Sequence, residues 1–318
     1  MPAAPAVLCT VTDDRLAELS GMVVTDGAVW ATADGGRRVE IHRLGADCEI
    51  ADTRTADIDP YDAEDLALGP DGAMWVADTG DNDRSRDTVA VIVVPPRGEP
   101  RLHRLTYPDG PHDAEALLVD RAGVPFVITK EIGGRAGVYR TAAPPQGEGP
   151  TPLERVAEVV LPVSDTEGGP IGGLGSRTVT GAGASADGQV VALRSYTDAW
   201  LYPVSDGDLA AALTGTPVQV PLPGEPQGEA VAFDADGTLL SASETRGGAP
   251  GELRAVPAAV EKAAVAPSAP PAPVPPAALP VVDDGPPVGL PALLGGGVAV
   301  GALVSLGAAM ALRGRRRG

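Results

Sequence analysis

The chain has 318 residues and a formal charge of −19, from 24 Lys and Arg against 43 Asp and Glu. A surface this acidic repels phosphate backbones, which excludes a general nucleic-acid binder, and it suits cations. Aromatic residues are only 3% of the chain, and Gly (41) and Pro (33) are frequent without reaching the level of a wholly disordered protein.

The first residues, MPAAPAVLCTVTDDRL, hold neither a basic start nor an apolar run long enough for a recognisable signal peptide. Within them AVLCTVTD reads as a strand. From Glu18 the chain then repeats itself. Five short runs begin at Glu18 (ELSGMVV), Glu64 (EDLAL), Glu115 (EALLV), Thr180 (TGAGA) and Glu229 (EAVAF), at spacings of 46, 51, 65 and 49 residues. Each is followed by a turn: Asp26-Gly27, Asp71-Gly72, Arg121-Ala122-Gly123, Asp187-Gly188 and Asp236-Gly237. Asp-Gly between apolar runs signals a tight hairpin, whose two central residues take positive φ. The second strands are AVWATAD, AMWVAD, VPFVITKE, QVVALRSY and TLLSASE. Two outer strands follow in units one to four. Unit five has GELRAV but no fourth strand, so the N-terminal strand is expected to complete it and close a ring.

Periods of this length with several short strands predict an all-β fold, a β-propeller of five blades. A sixth blade would have to come from the insertion at Pro162–Arg177. That segment is Gly-rich and without period, and it reads as a surface loop.

The propeller is expected over residues 1–257, followed by a Pro/Ala-rich linker over 258–287. Ten prolines between Ala264 and Pro291 favour an extended polyproline spacer. Val288–Leu312 is 25 residues without a charge, and as a helix it would be about 37 Å long, enough to cross a bilayer. RGRRRG follows at 313–318. Arginines flanking a span stay in the cytoplasm, so the expectation is a single-pass cell-membrane protein with an extracellular propeller and a cytoplasmic C-terminus. Cys9 and Cys48, the only two cysteines, fit one disulfide of an exported domain and fit two buried thiols almost as well.

In an antiparallel hairpin the start of the first strand lies beside the end of the second. Glu18, Glu64, Glu115, Thr180 and Glu229 are therefore expected at one mouth of the channel. Asp34, Asp78, Lys130-Glu131, Arg194 and Glu244 should stand beside them. Gathered carboxylates repel unless neutralised. Ca²⁺, with six to eight oxygen ligands, would neutralise them; Lys130 and Arg194 offer the alternative of an internally paired ring. A second candidate cation site is the loop Asp78-Thr79-Gly80-Asp81-Asn82-Asp83-Arg84. There Asp78, Asp81, Asn82 and Asp83 supply oxygens, unless the loop satisfies its own amides as an Asx turn. The three histidines are isolated, so no zinc site is expected, and no nucleophile elbow or nucleotide loop occurs. His112, three residues before Glu115, could reach the mouth as an acid or base.

The segments ELSGM, DAEDLALGPDG, VADTGDNDR, YPDGPHDAEALLVD and PQGEAVAFDADG resemble an actinobacterial family of exported β-propeller proteins. More distantly they resemble propellers with phytase-type or esterase-like activity. The likeness spans roughly Val7 to Ala255. It implies calcium held by acidic channel residues, which map onto Glu18, Glu64, Asp81, Glu115 and Glu229. The function expected is therefore binding of a ligand, cation or extracellular partner at an acidic channel mouth. The alternative is a calcium-dependent ester or phosphoester hydrolase.

Overall fold

The computed structural model describes residues 4–265. The linker from residue 266 onward, the span 288–312 and the tail lie outside the described residues. Among those described, no helix is long and apolar enough to cross a membrane.

Strand β1 (Ala6–Val11) opens the chain. The first sheet follows, with β2 (Leu19–Thr25), β3 (Ala28–Ala33), β4 (Val39–Leu44) and β5 (Ile50–Ala56). The second holds β6 (Ala63–Leu68), β7 (Met74–Asp78), β8 (Val89–Val94) and β9 (Arg101–Thr106), and the third β10 (Ala114–Val119), β11 (Pro125–Thr129), β12 (Arg135–Thr141) and β13 (Thr151–Val160). The fourth holds β14 (Val179–Ala184), β15 (Val190–Ser195), β16 (Asp198–Pro203) and, after the short helix α1 (Leu209–Leu213), β17 (Val218–Pro221). The last is built from β18 (Gly228–Phe233), β19 (Leu239–Ser243) and β20 (Gly251–Val256), with β1 as its fourth strand. Strands within a sheet run antiparallel in chain order. A short parallel pairing, Thr151–Leu105 and Pro152–Thr106, joins the outer strands of the second and third sheets.

The first strand of each sheet packs on that of the next, and β18 packs on β2, so the sheets form a closed, propeller-like ring. Apolar layers between adjacent sheets hold it, such as Trp75, Val91 and Leu105 with Leu117, Val127 and Tyr139. The innermost strands approach so closely that some positions admit no side chain. A Cβ on Gly21 would lie 2.3 Å from the Leu66 amide nitrogen, and one on Gly181 would lie 2.4 Å from the Glu229 carbonyl oxygen.

Only the first hairpin uses a two-residue turn with both φ positive, Asp26 at 53° and Gly27 at 70°. In the other four the strands end earlier. A longer loop turns through a hydrogen bond donated by the glycine amide, from Gly72 to Gly69 O (3.0 Å), for example, and from Gly188 to Ser185 O (2.8 Å). There the glycine alone takes the left-handed conformation.

β1 pairs with β20 from Ala6–Ala255 to Val11–Gly251, completing the last sheet with the start of the chain. Cys9 and Cys48 are bonded through their sulfurs with Cα atoms 5.7 Å apart, linking this closing strand to the first sheet. The insertion forms no sheet; its regular part is a 3₁₀ turn at Gly172–Arg177. At the other boundary, residues assigned to the linker form helix α2 (Ala259–Val265). Its Ala259 and Ala263 are fully buried against Val190, Ala192, Leu201 and Val231, because alanines four apart give the helix one apolar face.

Candidate functional site

Each innermost strand carries a β-bulge at its first residues. The register slips between Leu19 and Gly21, Ala63 and Asp65, Ala114 and Ala116, Val179 and Gly181, and Gly228 and Ala230. The residues left unpaired are Ser20, Glu64, Glu115, Thr180 and Glu229. A bulge takes a residue out of the alternation of the strand and re-aims its side chain. The repeated bulge therefore turns one residue per sheet toward the mouth.

Two further positions complete it. Just before the first pair of each hairpin stand Glu18, Asp62, Asp113, Thr178 and Gln227. Just after it on the second strand stand Asp34, Thr79, Lys130, Tyr196 and Glu244. Backbone bonds from Asp34 to Glu18, Lys130 to Asp113 and Glu244 to Gln227, each 2.9 Å, hold these positions together.

The sequence alignment of the first unit is thereby corrected. Ser20, not Glu18, is the equivalent of Glu64; Glu18 stands two residues earlier and is exposed. In two sheets the bulge residue is a hydroxyl that staples adjacent strands, Ser20 Oγ donating to the Glu64 carbonyl and Thr180 Oγ1 to Gly228 O (2.9 Å). The other three bulges carry buried carboxylates. Glu64, Glu115 and Glu229 are 6%, 4% and 4% exposed.

Oxygens of Asp34, Asp62 and Glu64 lie within 4.8 Å of one another, and so do those of Glu64, Asp113 and Glu115. Glu64 is shared by the two groups. Burial raises the pKa values of this cluster toward neutral pH. Asp62 is raised to about 7, by burial first and by Asp34 next. Glu115 is raised to about 8 by burial, against the pull of Lys130. Glu244 is raised to about 7 by burial and then by Glu18 and Asp34. Glu64 and Glu229 are raised well above the usual carboxylate range by burial, with Glu115 the next contributor to both. Lys130 donates to Glu115 Oε1; burial opposes its charge, but Glu115, Tyr196 and Glu229 around it push its pKa up. Gln227 bridges Glu229 (2.7 Å) and Glu244 (2.8 Å) and accepts from Arg246.

Two observations test whether these residues fit a cation. Glu115 Oε2 is buried and has no hydrogen-bond partner, an acceptor left open beside the shared Glu64. A Cβ on Gly80 would come 2.2 Å from Glu64 Oε1 and 2.5 Å from Asp62 Oδ2, so only glycine lets these carboxylates gather. Donors that are all oxygen suit a hard divalent ion.

The other predicted residues do different work. Asp78 Oδ1 accepts from the amides of Tyr61 (3.1 Å) and Asp62 (2.9 Å) and pairs with Arg86 (3.0 Å). Asp81 accepts from the amides of Ser85 and Arg86, each at 2.9 Å, while Asn82 and Asp83 are exposed. Asp81 thus satisfies amides of its own loop and Asp78 those of the segment before β6, and the loop's four oxygen-bearing residues do not converge as a cation site. Glu131 pairs outward with Arg84 (2.7 Å). Arg194 is fully buried and paired with buried Glu225, its guanidinium packed on Gly228. Its place at the mouth belongs to Tyr196, because the strand runs two residues further than the alignment assumed. His112 Nε2 stands 3.0 Å from Asp109 and from Tyr139 Oη, with its Nδ1 unpartnered.

Asp62 and Asp113 are marked in the sequence only by the Asp-x-Glu that recurs at 62–64 and 113–115. Asp65 has no such mark. It is fully buried, and its carboxylate accepts from the amides of Leu66 (2.8 Å), Leu117 (2.8 Å) and Ala182 (3.0 Å). It thus ties together the second, third and fourth sheets inside the channel.

Burial makes these carboxyls weaker acids in the folded state. Carboxyls near 7–8 in the folded state and near 4 when unfolded bind more protons folded than unfolded. Stability of the metal-free protein should therefore fall as pH rises from about 4 to 8. Its melting temperature in chelator is expected to be lower at pH 8 than at pH 5. A profile that rises over this range would show the cluster to be ionised and satisfied without an ion.

No family model and no curated protein matches the chain. Solved structures resemble it distantly. A luciferin-regenerating enzyme is 12% identical, with 78% of this chain and 79% of that chain covered at a TM-score of 0.46. A gluconolactonase from Xanthomonas campestris is 15% identical, covering 81% and 88% at a TM-score of 0.42. An aldose sugar dehydrogenase from Streptomyces coelicolor is 13% identical, covering 80% and 99% at a TM-score of 0.42.

Proposed function

We propose that this protein is a five-bladed propeller, one blade per four-stranded sheet, whose mouth binds a divalent cation and through it a ligand. The observation that carries this reading is the pair of carboxylate groups, Asp34–Asp62–Glu64 and Glu64–Asp113–Glu115, that share Glu64, the second of them including the residue whose Oε2 is buried and unpartnered, Glu115. Ca²⁺ is the ion such a donor set suits best. The uncharged segment 288–312 and the arginines after it support display of the propeller outside the cell on a single membrane span, facing an extracellular ligand or partner.

A second reading, hydrolysis of an ester or phosphoester at the same site, is favoured by one observation. Glu244 lies beside the cation groups with its pKa raised to about 7 by burial, where a carboxylate serves as a general base.

Saturating Ca²⁺ at about a hundredfold over Kd should stabilise the folded state by about 2.7 kcal/mol. For a domain of this size that is a rise in Tm of roughly 5–10 °C. Glu64→Gln removes the carboxylate shared by both groups and should abolish most of the rise. A wild-type melt indifferent to millimolar Ca²⁺ and to chelator would sink the proposal.

A further inference from the structure

The insertion at Pro162–Arg177 is built inside out. Its buried residues include Gly175 and Ser176, whereas its large apolar side chains face solvent: Val163 is 71% exposed, Ile171 39% and Leu174 51%. Large apolar groups usually drive a loop onto its domain, so a segment that packs on its smallest residues and presents its largest ones has another use for them.

The placement of that segment relative to the mouth is fixed by contacts. Gly175 O accepts from the Tyr196 amide (3.1 Å), and a Cβ on Gly175 would lie 3.4 Å from Tyr196 Cβ and 3.6 Å from Ile171 Cγ1. Tyr196 is the fourth sheet's mouth residue, and its ring centroid is 5.7 Å from Lys130 Nζ. On the adjoining turn, Ile132 is 71% exposed, and a Cβ on Gly134 would meet Arg177 at 2.8 Å. Ile132, Ile171 and Leu174 thus stand on two neighbouring segments at the one side of the mouth that lacks carboxylates, where the fourth sheet supplies Thr178, Thr180 and Tyr196.

We infer that the mouth takes an acyl ligand, with a carbonyl or carboxylate oxygen at the cation and an aliphatic chain on the shelf formed by Ile132, Ile171 and Leu174. The inference rests on the cation reading above. Charge selects the head group. Eight carboxylates line the mouth (Glu18, Asp34, Asp62, Glu64, Asp113, Glu115, Glu229 and Glu244), and the one lysine among them is already engaged by Glu115. A dianionic phosphate would meet no unengaged cation, since Arg246 beside Glu244 already donates to Gln227, whereas a single acyl oxygen needs only the metal.

The test uses the full chain saturated with Ca²⁺. Calorimetric titration with butyrate, hexanoate, octanoate and decanoate should show affinity rising with length. The rise approaches about fourfold per methylene where the chain is fully buried. A parallel series of methyl esters tells whether the charged acid or the neutral ester is preferred; binding by either supports the inference. Because Ile171 and Leu174 are exposed, Ile171→Ser with Leu174→Ser should fold normally, keep the Ca²⁺-induced rise in Tm and flatten the length series. A flat series in the wild type with the Ca²⁺ effect intact overturns this inference alone, as does a steep series that survives the double substitution. Absence of any Ca²⁺ effect removes the cation reading and this inference with it.

Discussion

Deleting residues 1–11 should abolish cooperative folding. β1 supplies the fourth strand of the last sheet, pairing with β20 from Ala6 to Val11, and it buries Val11 at 1% exposure. Without it β20 becomes an open edge, and the apolar layer that joins Leu16, Leu19 and Met22 to Leu240 and Leu253 loses part of its wall. The bond between Cys9 and Cys48 adds to this closure by fixing the strand to the first sheet across a separation of 39 residues. In the chain-entropy account that bond contributes about 4 kcal/mol. Reduction alone should therefore lower Tm by roughly 8–15 °C, whereas the deletion should leave protein that is insoluble or melts without a transition. A truncated chain with an unchanged, cooperative melt would mean that the ring closes without β1. Two free thiols in denatured, non-reduced protein would show that the disulfide does not form.

Asp65→Ala should cost about 3–5 kcal/mol, seen as a fall in Tm of roughly 10 °C or more. The innermost strand of each sheet has no neighbour on its channel side, so some of its amides point into the channel without a strand to accept them. Asp65 collects three of these, from its own strand and from the strands of two other sheets. Removing the carboxylate leaves all three N–H groups buried and unpaired. Burial raises the pKa of Asp65 while the three amides pull it down. Asp65→Asn should recover little, because its NH₂ group would face donors. An alanine variant melting within about 2 °C of wild type would show that water replaces the carboxylate at no cost. Glu64→Gln, one residue away, should by contrast spare the fold and weaken cation binding, so the pair separates the architectural acid from the binding one.

The hairpins, the repeat and the closing strand were all legible in the residues. Alternating apolar runs and Asp-Gly or Gly turns are local signals, and a unit that lacks its fourth strand points to the unpaired run at the other end of the chain. The acidic mouth was legible only in outline. Glu64, Glu115 and Glu229 were found because each opens an apolar run, but Glu18 was aligned with them where Ser20 belongs. A bulge adds a residue without changing the strand pattern, so nothing in the sequence marks its register. Asp62 and Asp113 carry only the Asp-x-Glu repeat as a mark, while the density of oxygens at Asp78, Asp81, Asn82 and Asp83 is a stronger local signal for a loop that does not hold an ion together.

Whether a carboxylate is spent on amides, as in Asp78 and Asp81, or is left open, as in Glu115, depends on which backbone groups lie opposite it. For Asp81 they lie in its own loop and for Asp78 just before β6, but elsewhere they come from other sheets: Asp113 accepts from Asp81, and Asp65 accepts from Leu117 and Ala182. Composition and periodicity therefore determined the strands, their grouping and the negative charge at one end of the channel. Only the closed ring decided which of those charges became architecture and which could hold an ion, because burial and hydrogen-bond partners arise between segments distant in the chain.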